Sequence, residues 1–281
     1  MFKLIRIKHK ENLSQIVNRI PNIGNSILVE ELKQLIEAIH HDIPSKKRIS
    51  YGRYTIVKNL GLLFYNFLDI KQNINLIKLT VDLYNHKQKA PFVKSMALQL
   101  LALKAIKSGE LDITMQVFRK AACHNHWQVR ESAAGLIRQL VKHYPEPFHE
   151  WYLQLVKSQN PYTRRFVSES LRPVVENKWF LKNPDYPLSI LKFLFNETHP
   201  YPRTSVGNNL SDWSKKDPDR IYKIITKLVV SKDKNSYWIA YRACRNLVKK
   251  NPDKVMNLLG VTEYKYKKNR YKLNKSTTST N

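Results

Sequence analysis

Four segments in the second half of the chain repeat one pattern, and that repeat limits the fold more than any other feature. They are Asn125–Leu136, Asn160–Leu171, His199–Leu210 and Ser236–Leu247. Each carries an aromatic (Trp127, Tyr162, Tyr201 or Trp238) nine residues before its closing leucine, and the copies stand 35, 39 and 37 residues apart. A period of that size fits a pair of helices that cannot bury its apolar face alone and stacks on its neighbours instead. With only 7 glycines in 281 residues, the chain also lacks the turn residues that a sandwich or barrel requires. The expected fold class is all-α, a HEAT-like helical-repeat solenoid with a basic concave face.

The second helix of each pair is expected at Phe148–Val156, Pro187–Phe195 and Pro218–Val230, where apolar residues recur at helical spacing. Asp217-Pro218-Asp219 and Asn251-Pro252-Asp253 read as helix starts, with an N-cap side chain followed by proline in the first turn. The first half is less regular, yet Val29–Ile39, Ile56–Phe67, Ile74–Tyr84 and Phe92–Ile106 read as amphipathic helices. Stacked repeats share one core, so residues 1–261 are expected to form a single domain. Residues 262–281 are expected to be a disordered basic tail.

Charge narrows the partner. The 49 Lys and Arg outnumber the 22 Asp and Glu, for a formal charge of +27. Residues 261–281 account for +5 of it, so +22 remains on the body of the chain. A folded body this basic fits a phosphate-rich partner. Cys123 and Cys244 sit among apolar residues of expected helices and read as core filler. His124, His126, His143 and His149 lack a ligand spacing with cysteine or acid, so no metal is expected, and no cofactor loop is visible. With no signal-peptide pattern and no apolar run of membrane-spanning length, a cytoplasmic protein is expected, with no membrane partner.

Helical geometry gathers three acids. Counting each repeat from its first residue, Glu131 is at offset 6, Glu169 at 9 and Asp212 at 13. At about 100° per residue they lie within ~60° of one another, roughly opposite the buried leucine. Arg138, Lys215, Arg242, Arg245 and Lys249 are expected on the same side. Acids and bases on a helix surface are ordinarily just solvated, so this spacing alone does not establish catalysis.

These same residues carry a resemblance. Asn160-Pro-Tyr-Thr-Arg-Arg-Phe-Val-Ser-Glu-Ser-Leu-Arg-Pro173 resembles the N-P-x-x-R-R-x-x-S-E-G-x-R-P segment of the HEAT-like-repeat DNA alkylation repair glycosylases (the AlkC/AlkD superfamily, closer to AlkC). Arg203-Thr-Ser-Val-Gly-Asn-Asn-Leu-Ser-Asp212, followed by Lys216-Asp-Pro-Asp219, is similar to that branch's R-R-S-V-x-N-x-L-N-D-I-x-K-x-x-P. Trp238–Lys250, running on to Leu258-Leu-Gly260, is a third match, and together they span roughly residues 120–260. There are two departures. Trp179 stands two positions later than the family's tryptophan, and Thr204 replaces an arginine.

The resemblance implies a DNA glycosylase that excises cationic alkylated bases, such as 3-methylated ones, from double-stranded DNA and so initiates base excision repair. Asp212, Glu169 and Glu131 are the implied catalytic acids: Asp212 for charge stabilisation and water positioning, Glu169 for orienting that water or contacting the base, Glu131 for support. Trp179, Trp213, Trp127 and Trp238 are the candidates for contact with the base or sugar, although core packing serves any of them equally well. Arg165, Arg203, Arg242, Arg245 and Lys249 are the candidates for phosphate contacts. A monomer is expected. Two alternatives stand beside this reading: a non-catalytic repeat protein that binds damaged or branched DNA, and a scaffold for RNA or protein partners.

Overall fold

A computed structural model describes residues 5–48, 52–71, 73–174 and 177–273. The chain divides into two compact units, residues 1–143 and 144–281.

The first unit contains α1 (Ile7–Arg19), α2 (Asn25–Asp42), α3 (Arg53–Asp69), α4 (Leu76–Asn85), α5 (Pro91–Ser108), α6 (Leu111–Ala122) and α7 (Trp127–Val141). The four helices expected in this half all form, each extended by one to four residues at most ends. Helix α5 is buried nearly all round, with Val93, Met96, Ala97, Leu98, Leu100 and Leu101 inaccessible. A helix apolar on every face belongs at the centre of its unit, and α3, α4 and α7 all pack on it.

The second unit contains α8 (Pro145–Leu155), α9 (Pro161–Ser170), α10 (Lys178–Lys182), α11 (Asp185–Leu191), α12 (Pro200–Trp213), α13 (Pro218–Val230), α14 (Lys234–Ala243) and α15 (Pro252–Leu259). Helix starts follow local chemistry closely. Proline occupies the first turn of α8, α9, α12, α13 and α15, where its missing N–H costs nothing. Side chains of Asn160, His199, Asp217 and Asp233 accept from backbone N–H groups of the turn that follows each of them. Asn251 precedes α15 without such a bond.

The N-caps also correct the register of the repeat. The caps of α7, α9, α12 and α14 are His126, Asn160, His199 and Asp233, spaced 34, 39 and 34 residues apart. Counted from them, the seventh residue is Ala133, Val167, Val206 or Ala240, fully buried in every case. Trp238 therefore falls almost one helical turn later in its repeat than Tyr162 and Tyr201 do in theirs. Glu131 becomes the counterpart of Arg165 and Trp238. Leucine spacing misled the sequence alignment because α14 ends at Ala243, so Leu247 lies in the turns beyond it.

Residues expected to be disordered also include structure. Strands β1 (Glu263–Tyr266) and β2 (Asn269–Lys272) form an antiparallel hairpin, with Glu263 opposite Lys272 and Tyr266 opposite Asn269. The hairpin is anchored on α14. Tyr264 is completely buried, stacks on Tyr241 at 4.4 Å and donates its hydroxyl to the Tyr241 carbonyl at 2.8 Å. Tyr241 in turn accepts from the Lys265 N–H at 2.8 Å. Residues 274–281 of the expected tail lie outside the described residues. No helix among the described residues is long and apolar enough to cross a membrane.

Candidate functional site

Helix α9 packs against α12, and α12 against α14, which sets the first helices of three consecutive repeats side by side. Each contributes charge at its C-terminal end. Glu169, near the end of α9, is buried with 4% exposure. It accepts from Ser205 Oγ of α12 at 2.7 Å and from Arg172 Nη1 at 3.1 Å, and Arg165 lies 3.6 Å away. Arg172 continues to Asp212 near the end of α12, donating through Nε to Oδ2 at 3.1 Å and through a closer Nη2 contact to the same oxygen. Asp212 Oδ1 meets Arg245 and Lys215, each at 3.4 Å. The result is a continuous chain of alternating charge: Arg165, Glu169, Arg172, Asp212, Arg245.

The two acids in it are not equivalent. Both oxygens of Glu169 are engaged at short range, which suits a group that positions Arg172. Asp212 is 17% exposed at the side chain, and its Oδ1 partners stand at the long end of the hydrogen-bond range. Burial pushes its carboxyl upward, but the Arg172 hydrogen bond and the charges of Arg172, Lys215 and Arg245 outweigh burial and hold it below the ordinary aspartate range. Asp212 is thus an ionised, partly open carboxylate inside a net-positive cluster.

Beside this chain runs a ladder of arginines and rings. Arg165 lies over Tyr201 at 4.6 Å, and Arg203 and Arg242 lie over Trp238 at 4.8 and 5.4 Å. Arg242 and Arg245 both donate to Asn208 Oδ1, at 2.9 and 2.6 Å, and Arg245 also donates to Ser211 Oγ at 2.9 Å. Arg203 is held by Asn235. These contacts align guanidinium groups, and rigid guanidinium groups are what phosphate recognition uses. Gly207 makes the ladder possible: a Cβ there would stand 2.9 Å from the Arg242 Cβ.

Of the residues singled out in the sequence, Glu169, Asp212, Arg165, Arg203, Arg242, Arg245 and Trp238 come together in the second unit. Lys249 is exposed in the turns after α14. Glu131 and Trp127 belong to α7 in the first unit, Glu131 half-buried and Trp127 60% exposed. Trp213 is 1% exposed, so its indole is core. Trp179, on α10, packs edge-on to Tyr186 at 5.1 Å and lines a cleft of about 490 Å³ with His149 and Asn183. Arg172 went unassigned in the sequence although it is the residue that links the two acids; its spacing of three from Glu169 was the available signal. Tyr266 and Asn208 carried none. Burial lifts the Cys244 thiol to about 12, consistent with core filler.

Known proteins supply the context for this geometry. No curated protein sequence matches the chain. The X-ray structure of AlkD2 from Streptococcus mutans is 26% identical over 76% of this chain and 97% of that one, with a TM-score of 0.56. Smu.31 from Streptococcus mutans UA159 is 25% identical over 76% and 98%, with a TM-score of 0.55. Pseudomonas fluorescens alkylpurine DNA glycosylase AlkC, bound to DNA containing an abasic site analog, shares the fold at 17% identity, covering 93% of this chain and 68% of that one, with a TM-score of 0.57. The family described as DNA alkylation repair enzyme matches residues 93–247, which contain every residue of the Arg165–Arg245 chain, and the protein belongs to that family.

Proposed function

We propose that this protein is a DNA glycosylase that releases cationic alkylated bases, 3-methylated purines among them, from double-stranded DNA and so initiates base excision repair. The observation that carries the reading is Asp212: an ionised, partly accessible carboxylate held in place by cations. An N-alkylated base already bears positive charge, so it leaves with the electron pair of the C1′–N bond and needs little help from an acid. The remaining demand is to stabilise the oxocarbenium-like sugar and to aim a water at C1′. A preorganised carboxylate meets both, and the proton that the water sheds on bonding passes to Asp212 or to solvent. In this reading Glu169 acts through Arg172, and Trp238 serves best for contact with base or sugar. Arg165, Arg203, Arg242, Arg245 and Lys249 hold phosphates, in line with the DNA-bound AlkC relative.

A second reading has one specific observation in its favour. The oxygens of Glu169 and Asp212 all face cationic or hydroxyl partners, which equally suits a structural network in a non-catalytic binder of damaged DNA. Incubating the protein and its Asp212→Asn variant with methylated duplex DNA, then separating released bases by chromatography, distinguishes the two. Release of 3-methylated bases by the parent alone supports the glycosylase. No release from either, with salt-sensitive DNA binding intact, supports the binder.

A further inference from the structure

The hairpin at Glu263–Lys272 is built into the Asp212 neighbourhood. Tyr266, the last residue of β1, accepts a hydrogen bond from Arg245 Nη1 at 3.3 Å, and Arg245 also touches Asp212 Oδ1. Arg242 and Arg245 also lie over the Tyr266 ring at 5.7 and 5.8 Å. The ladder of arginines and rings thus continues from α14 onto the hairpin, which is fixed from beneath by the buried Tyr264.

Its outer surface is strongly basic: Lys265, Lys267, Lys268, Arg270 and Lys272 are exposed, against a single acid, Glu263, that is paired with Arg270 at 2.5 Å. The turn itself is Lys267-Lys268, since Tyr266 pairs with Asn269. Lys267 has φ +55°, the left-handed region where glycine or asparagine sits without strain and where two-residue hairpin turns ordinarily use them. Lys232, in the turn after α13, has the same φ, so what singles out the hairpin tip is two exposed lysines side by side on an arm whose ring and arginine contacts lead to Asp212.

We infer that this hairpin is a phosphate-gripping arm that contacts the backbone of duplex DNA beside the nucleotide presented to Asp212, with Lys267 and Lys268 as its contacts. The inference rests on the DNA reading of the site given above. Each backbone contact releases condensed counterions on binding, so each lysine contributes to the salt dependence of affinity and not to sequence preference.

The test is a titration of a fluorescent duplex at several salt concentrations, with the parent protein and a Lys267→Gly, Lys268→Gln double variant. Glycine relieves the left-handed backbone, so the thermal midpoint of the variant is expected to hold or rise. Its affinity is expected to fall on the order of ten- to a hundredfold near ~0.1 M salt, and the slope of log K against log [salt] to flatten by about 2. A parent that binds DNA and a variant that binds with the same slope and affinity overturn the arm while leaving the DNA reading intact. A parent that does not bind duplex DNA, or binds only anionic lipid vesicles, overturns both.

Discussion

Arg172 and Asp212, forty residues apart in the chain, are joined by two hydrogen bonds from one guanidinium to one carboxylate oxygen. The same guanidinium reaches Glu169 at 3.1 Å. Arg172 directly follows Leu171, the buried C-cap of α9, and precedes Pro173, which prevents the helix from resuming. Its side chain is therefore set at the point where α9 and α12 come side by side.

Removing that guanidinium should destabilise the protein. Arg172→Ala leaves two largely buried carboxylates without their shared cation, at a cost of about 2–4 kcal/mol once the remaining exposure of Arg172 is discounted. Chemical denaturation is the direct measurement. Arg172→Lys should recover part of the stability but little base release, since an ammonium cannot bridge both acids with the same geometry. Unchanged stability in the alanine variant would show that the bridge is not formed in solution.

The pH dependence of base release should follow Asp212. Its folded pKa is depressed, so the acid remains ionised through the neutral and mildly acidic range. Release by the parent should be flat from about pH 7 to 5 and fall only below the ordinary aspartate range near ~4. A limb with its midpoint near pH 6 would assign the reaction to another group.

Stability should show the same sign. Depressed carboxyls stabilise the folded state above their unfolded pKa and lose that contribution as pH falls through the folded value. Asp42 is held down to about 2 by hydrogen bonds from Lys8 and His9, and Asp212 is lowered as well. The thermal midpoint should therefore decline between about pH 4 and 2. Asp212→Asn and Asp42→Asn variants should each flatten that decline.

Gly207 offers a test of the arginine ladder. An alanine gains roughly 1 kcal/mol of helix propensity within α12, but its Cβ meets the Arg242 Cβ at 2.9 Å, and that atom cannot swing away. The helices α12 and α14 must part slightly, which costs about 1–3 kcal/mol. The net expectation is a stability loss near ~1 kcal/mol with a clear loss of duplex affinity, as Arg242 leaves Trp238 and Asn208. Retained affinity would separate the ladder from DNA binding.

Trp179 separates packing from recognition. Its ring lies against Tyr186 and Phe180, so Trp179→Ala should lower stability by roughly 2 kcal/mol, whereas Trp179→Phe should keep most of it. Loss of base release in the phenylalanine variant at unchanged stability would give Trp179 the recognition role that the family resemblance implied.

Much of this protein is written in short-range sequence. Asn160-Pro161, His199-Pro200 and Asp217-Pro218 start helices because cap and proline act on the adjacent turn. The buried seventh positions follow from the helical period, and the basic balance is a matter of composition. What the chain could not disclose is whatever depends on groups brought together by packing. Glu131 belongs to the first compact unit and Glu169 and Asp212 to the second, a division that helical period does not carry. Trp238 was aligned with Tyr201 until the end of α14 showed that Leu247 lies outside the helix. The hairpin was invisible because its anchor is Tyr241, more than twenty residues earlier, and lysine-rich strands carry little apolar pattern of their own. Arg172 as the link between two acids, and Arg245 and Tyr266 as its continuation, depend on distances across three helices and a hairpin. Periodicity sets which way a side chain faces on its own helix; which charge waits on the neighbouring helix is decided only when the repeats stack.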